Sequence, residues 1–474
     1  MERMPTRRSF LYTTFAISGL HSFSSFAQSS SSLEVNVLSS GAVGDGLTLD
    51  TDAIQAAIDR VAAAGGGRVL IPGAKRFLIG GLSLKSHVDL HLADDAVLLA
   101  SPSPEHYTAK KYIGLINADR AEGVSISGTG HIDGQAMKFM GSYSPKDERW
   151  EPLAFRPRMF HLQRCTGLQI TGISFGHSPE WGLHMLGCEH VLVDGVRIRN
   201  YLDVPNCDGI DPDRCRDMEI KNCDIVCADD GIVIKTSQQT EDFGVAHNIT
   251  VRDCAITCRD SGLKIGTETF GDISKVLFER CRIVSAGRGP TITHRQSGNI
   301  EDIEFRDIEF LAQHHAARWW GWGEAASITA WTRSEGTTLG SLKDIRLKNV
   351  RGVAENSFRI DAHPDMPIRN VLLEDCDVTI DRWTQYPGGS FDNRPTWKND
   401  PISEPRGLER HDTPAFFLRN VQGAIVRNCT ARWGSHPDEH CSYALEAENV
   451  SGLKIEHFNG HAARAGMRAI LIRS

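Results

Sequence analysis

One phrase, written ten times between residues 168 and 460, constrains the fold more than any other feature of the chain. In order it reads LQITGISF, VLVDGVRI, MEIKNCDI, ITVRDCAI, VLFERCRI, IEFRDIEF, IRLKNVRG, VLLEDCDV, AIVRNCTA and LKIEHFNG. Apolar residues alternate with polar ones, two polar or turn residues follow, and an apolar residue or cysteine fills the sixth place. Period-two alternation indicates a strand with one buried face. From Val196 to Cys223, from Cys254 to Cys281 and from Cys281 to Ile308 the sixth place advances by 27 residues each time. A period in the twenties with Gly and Asn at the turns predicts an all-β fold, a right-handed parallel β-helix in which each repeat is one coil. A β-sandwich also alternates, but nothing in it requires one phrase to recur ten times.

Two steps are longer, 42 residues from Ile308 to Val350 and 53 from Cys376 to Cys429, so each hides an inserted loop or an extra coil. These insertions, near 311–340 and 381–415, carry Trp319, Trp320, Trp322, Trp331, Trp383 and Trp397. Loops on a stacked scaffold are where binding residues gather. At the other end, Asp50-Thr51-Asp52 offers helix N-caps, Ile54, Ile58 and Val61 share one face, and Gly65–Gly67 ends the helix. Such a helix is expected to cover the first coil, whose edge cannot stay open. The glycine-rich pieces Gly41–Gly46 and Gly65–Gly67 lack the Lys-Ser/Thr of a phosphate loop.

Thr6-Arg7-Arg8-Ser9-Phe10-Leu11, a short apolar run and Ser25-Phe26-Ala27 read as a twin-arginine signal over 1–27, followed by a tether over 28–33 and one catalytic β-helix over 34–474. The apolar run is too short to span a bilayer. Export to the periplasm or medium is therefore expected, with no membrane contact after signal removal. The formal charge is −8, and Arg3, Arg7 and Arg8 against Glu2 give the leader +2, leaving about −10 for the mature chain. No basic run exists, which argues against nucleic acid as a partner. Of the twelve cysteines, Cys223, Cys254, Cys281, Cys376 and Cys429 fill the sixth place, where they read as small buried hydrophobes in a column. The C-x₃-C pairs Cys223/Cys227 and Cys254/Cys258 have no matching histidine pair, so zinc is not implied.

The chemistry lies in Asn206–Asp213 (NCDGIDPD) and Ala228–Gly231 (ADDG), which bring Asp208, Asp229 and Asp230 about one coil apart. Taking Cys223 and Cys254 as equivalent aligns Asp229 and Asp230 with Asp260 and Ser261, and then with Gly287 and Arg288. Adjacent coils are about 4.8 Å apart. Asp208 is expected on the other side of the same column. Gathered carboxylates suit acid/base cleavage of a glycosidic bond or a metal site. Stacked like charges raise one another's pKa, which keeps one carboxyl protonated as an acid.

The run from Ser178-Pro179-Glu180-Trp181 through Asn206–Asp211 to Asp229–Lys235 resembles glycoside hydrolase family 28, the polygalacturonases and relatives. GAVGDGLTLDTDAIQAAID and GGLSLKSHVDLHL are similar to the family's cap and first coils, so the likeness covers most of the mature chain. The resemblance implies a right-handed parallel β-helix and hydrolysis with inversion. It makes Asp229 the general acid, Asp208 and Asp230 the pair that holds and activates water, and Asn206 part of the motif that orients Asp208. Two family motifs depart: Gly-His-Gly stands here as Asp260-Ser261-Gly262, and Arg-Ile-Lys as Thr291-Ile292-Thr293.

Positive charge for an acidic sugar would then come from Lys235, Lys264, Arg288, His294 and Arg295, with Ser261 at the histidine position. Otherwise the sugar is neutral, and Lys235 and Lys264 are solvated strand residues. Trp320 and its neighbours either stack on sugar rings or pack beneath their loop. The expectation is a monomeric, exported hydrolase of pectic polysaccharide or oligosaccharide that needs no cofactor or metal. A Ca²⁺-dependent lyase on the same fold and a silent carbohydrate-binding β-helix are the alternatives.

Overall fold

The computed structural model describes residues 33–107, 114–333, 336–396 and 407–474, and Leu33–Ser474 forms one compact unit. Among the described residues, thirty-six strands pair parallel into a single coiled sheet, a right-handed parallel β-helix. The leader and tether over 1–32 lie outside the described residues, and Leu33 opens the first strand.

The repeated phrase works because of its fifth place. Gly172, Gly195, Asn222, Asp253, Arg280, Asp307, Asn349, Asp375, Asn428 and His457 all take a left-handed backbone, with φ between 48° and 73°. Gly enters that region freely, and Asn and Asp tolerate it because their short side chains bond locally. Asn349 Nδ2 donates to Asp307 Oδ1 at 2.6 Å, and Asn428 Nδ2 to Asp375 Oδ1 at 3.0 Å, so turns of successive coils are tied together. The sixth-place side chain then points inward. All twelve cysteines are buried and unpaired, and Phe278 stacks on Phe305 with ring centroids 4.8 Å apart.

Both long steps are single enlarged coils. Ile308 pairs directly with Val350, and Asp377 with Thr430, so among the described residues no extra coil lies between them and the added ones stay outside the coiled sheet. The helix Thr51–Ala63 buries Ile54, Ala57, Ile58 and Val61. Asp50 occupies its N-cap, but its carboxylate accepts from the Val43 and Gly44 amides at 2.7 and 3.0 Å and not from the helix. That acid anchors the incoming chain.

Asn349→Val forces a β-branched residue into the left-handed turn and is expected to cost about 1–2 kcal/mol. Asn349→Gly, which loses only the Asp307 bond, should lower the thermal midpoint much less. A thermal scan of the two variants beside the parent checks the turn assignment.

Candidate active site

The register stacks the aspartates more directly than coil counting suggests. Ile210 pairs with Ile232, and Gly209 N donates to Asp230 O at 2.9 Å, which sets Asp208 immediately beside Asp230. Ile232 pairs with Leu263, and Ser261 with Arg288, so the column continues from Asp230 to Ser261, Arg288 and Glu324. The alignment of Asp230 with Ser261 and Arg288 therefore holds. The opposite-side placement of Asp208 does not: it heads the column. One oxygen from each of Asp208, Asp229 and Asp230 lies within 4.8 Å of the others. Asp208 and Asp230 are buried, whereas Asp229 keeps partial exposure.

Burial and mutual repulsion shape this trio. Asp208 is held well above the usual carboxylate range by burial and then by Asp211 and Asp229. Its Oδ1 is buried without a hydrogen-bond partner. Asp229 is raised by burial and by Asp230, and it accepts N–H bonds from Asn206 and Asp230, both at 3.2 Å. Asn206, expected to orient Asp208, thus serves Asp229. Asp230 accepts from Lys264 Nζ at 2.7 Å and from Ser261 N at 3.2 Å.

Lys235 and Lys264 are not solvated strand residues. They are 3% and 2% exposed, so their charge must be matched inside. Lys235 Nζ lies 2.9 Å from Asp211, 3.9 Å from Asp208 and 3.8 Å from the Trp181 ring centroid. Arg158 stacks on the same ring at 4.0 Å. Arg288 bridges Asp392 at 2.9 Å, Glu324 at 3.6 Å and Asp260 at 3.8 Å. Ser261 Oγ donates to Asp260 at 3.1 Å, and burial followed by Asp230 pushes Asp260 up to about 8.

Two expected anion-binding residues are engaged elsewhere. His294 bonds Thr269 through Nδ1 and the Gly340 carbonyl through Nε2. Burial lowers it to about 4, so it is uncharged at neutral pH and offers no grip. Arg295 spends its donors on Pro395 O, Asn393 O, His294 O and Thr329, holding the second insertion against the sheet. Thr291 and Thr293 stand in register with Lys264 and Gly266 and bring no charge. Trp319, Trp322 and Trp331 are buried. Trp320 stays partly exposed, 5.9 Å from Lys264, while Trp397 lies outside the described residues.

The insertions make walls that the repeat could not announce. The hairpin of Met140–Ser144 and Arg149–Pro152 reaches them through Tyr386 to Glu148 and Arg318 to Glu151, both at 2.5 Å, and reaches the coil itself through Arg259 to Glu148 at 2.7 Å. Asp392 bonds Gly321 N and Arg394 at 2.8 Å, which fastens the second insertion to the first. Toward the N-terminal end a cavity of about 670 Å³ opens, lined by Ser83, Asn117, His161, Gln163 and Gln239 among others. Asp211, Asp260, Asp392, Trp181 and Arg158 complete the site. Of these, Asp211, Asp260 and Trp181 stood within the quoted motifs, and Asp392 and Arg158 did not.

Carboxylate clusters could also hold a cation. In the trio, Lys264 and Lys235 already supply positive charge, so a divalent ion would meet two ammonium groups. A second cluster, His411, Glu446 and Glu448, has Arg473 within 3.1 Å of Glu446 and 2.8 Å of Glu448.

A stacked β-scaffold with a crowded trio of carboxyls, one of them partly exposed, has the groups that acid/base cleavage of a glycosidic bond uses. Residues 66–386 match the family described as glycosyl hydrolases family 28, and the chain belongs to it. A probable polygalacturonase of Vitis vinifera is 27% identical over 370 residues, covering 72% of this chain and 73% of that protein. The hyperthermoactive exopolygalacturonase from Thermotoga maritima shares the fold with a TM-score of 0.64 at 24% identity, over 73% of this chain and 87% of its own. The family 28 exopolygalacturonase of Yersinia enterocolitica gives 0.59 at 17% identity, over 93% and 78%. The protein is thus a polygalacturonase-like glycosidase with a polysaccharide-type substrate.

Lys264→Met strands a buried carboxylate and is expected to cost about 3–5 kcal/mol. Thermal midpoints of the variant beside the parent check it. Asp260 works in the opposite sense. The fold keeps its proton to about pH 8, while the unfolded chain loses it near about 3.9. Ionisable Asp260 therefore lowers stability progressively across that window. Asp260→Asn should gain in midpoint relative to the parent as pH rises from about 5 to about 9.

Proposed function

We propose that this chain hydrolyses the glycosidic bonds of pectic polysaccharide with Asp229 as general acid and Asp208 and Asp230 as the pair that holds and activates the water. The observation that carries the assignment is the asymmetry of the trio. Asp229 alone keeps partial exposure, and burial beside Asp230 raises its carboxyl, which is what proton donation to a leaving oxygen requires. Asp208 presents a buried oxygen without a partner, suited to accept from water. Asp230, with Lys264 at 2.7 Å, supplies the neighbouring acceptor.

The walls built by the 140–152 hairpin and the two insertions favour attack at a chain end over attack along an open groove. The trio is tighter than the roughly 6.5–9.5 Å separation usual for two-carboxylate inversion. The water is therefore taken at the edge of the cluster by two acceptors at once. Among the described residues no helix is long and apolar enough to cross a membrane. The twin-arginine leader read from the sequence directs the protein out of the cytoplasm.

Three readouts test this. Asp229→Asn should lower kcat on galacturonan oligosaccharides by about 10²–10⁴-fold with a thermal midpoint no lower than the parent's. Proton NMR of the first product formed should show the anomeric configuration opposite to that of the substrate, and retention would refute the roles given to Asp208 and Asp230. Product masses should show the gain of one water per cut. An unsaturated product would establish elimination.

A further inference from the structure

Among the described residues, two guanidinium groups at the wall beside the trio, those of Arg149 and Arg156, form no close ion pair. Lys264, Lys235 and Arg288, the cations carried by the coils beside the trio, are each paired with a buried carboxylate. Arg149 and Arg156 are different. Both come from the hairpin wall and the segment just after it. Among the described residues neither has a carboxylate oxygen within 4.0 Å, the limit for an ion pair. Arg149 is half-buried, lies 5.8 Å over the Trp319 ring, and leaves its Nε buried without a hydrogen-bond partner. Arg156 donates only to neutral oxygens: Pro179 O and Pro205 O at 2.9 Å and Asn206 Oδ1 at 3.2 Å. Asn206 in turn places its N–H 3.2 Å from Asp229, so Arg156 stands one residue from the reactive carboxyl. Asp229 is among the acids whose field both arginines feel.

A partly desolvated guanidinium with no close ion pair is a strong anion site, and its planar fork matches a carboxylate. We propose that Arg149, backed by the charge of Arg156, grips the carboxylate of an acidic sugar beside Asp229. The sheet itself brings only Thr291 and Thr293 at the register positions next to Lys264 and Gly266, so the acidic group is recognised from the wall of the cleft. This rests on the glycosidase reading above. It adds the residue by which acidic sugar is distinguished from its ester.

The experiment measures kcat/KM for one galacturonate oligosaccharide and for its methyl ester with the parent, Arg149→Ala, Arg149→Gln and Arg149→Lys. Losing a charge-assisted pair is expected to lower kcat/KM on the acid by about 10–100-fold, carried mainly by KM. The effect on the ester should be several-fold smaller, and Arg149→Lys should recover part of the loss on the acid. Having two neutral variants keeps the test open if one does not fold, with the thermal midpoint as the check. Equal losses on acid and ester, or no loss on either, with an active parent overturn the grip alone. A parent that cleaves no galacturonate overturns the substrate reading and the grip together.

Discussion

Everything in this molecule depends on the register between coils. A parallel pair spaces strands by about 4.8 Å, so a side chain facing outward from one coil must accept whatever the next coil puts beside it. Asp208, Asp230, Ser261, Arg288 and Glu324 follow one another in that way. Two carboxylates at adjacent places in such a column repel strongly, and their proximity would be a defect in a surface with no task. Here burial, with the charge of the neighbouring acids added to it, raises the carboxyls of Asp208 and Asp229.

Repulsion of that size survives because the same column and its neighbours deliver cations. Lys264 meets Asp230, Lys235 meets Asp211, and Arg288 meets Asp392 and Glu324. All of these groups are nearly or wholly withdrawn from water. Removing any one partner leaves a buried charge, so the network fixes geometry more than it adds stability. The insertions are part of this balance, since Asp392 comes from one and receives Arg288 and Gly321 from elsewhere. Wall and floor are fastened by the same charges that tune the acids.

Much of this was legible in the sequence, for a physical reason. The phrase repeats because each coil solves one problem, and its fifth place reads Gly, Asn or Asp in eight of ten cases because the backbone there is left-handed. The neighbours of Asp230 at Ser261 and Arg288 also followed from the period. Asp208 was misplaced because coils differ in length: 22 residues separate it from Asp230, and 31 separate Asp230 from Ser261. The surplus lies in loops, which leave the register untouched. His294 and Arg295 looked like free cations because sequence position does not reveal burial or the carbonyls of Gly340, Asn393 and Pro395 that occupy them. Asp392 and the wall arginines left no periodic trace. They belong to segments that obey no repeat.

The central claim is that burial and register-enforced crowding keep a carboxyl protonated where an isolated one would have ionised. The pH dependence of kcat/KM on a galacturonate oligosaccharide addresses it directly, because it reports the essential acid of the free enzyme. A bell whose alkaline limb lies clearly above the ordinary carboxylate value of about 3.9 is the predicted result. Activity that decays through about pH 4 with no higher limb would contradict it, since the acid would then behave as a carboxyl with no neighbours.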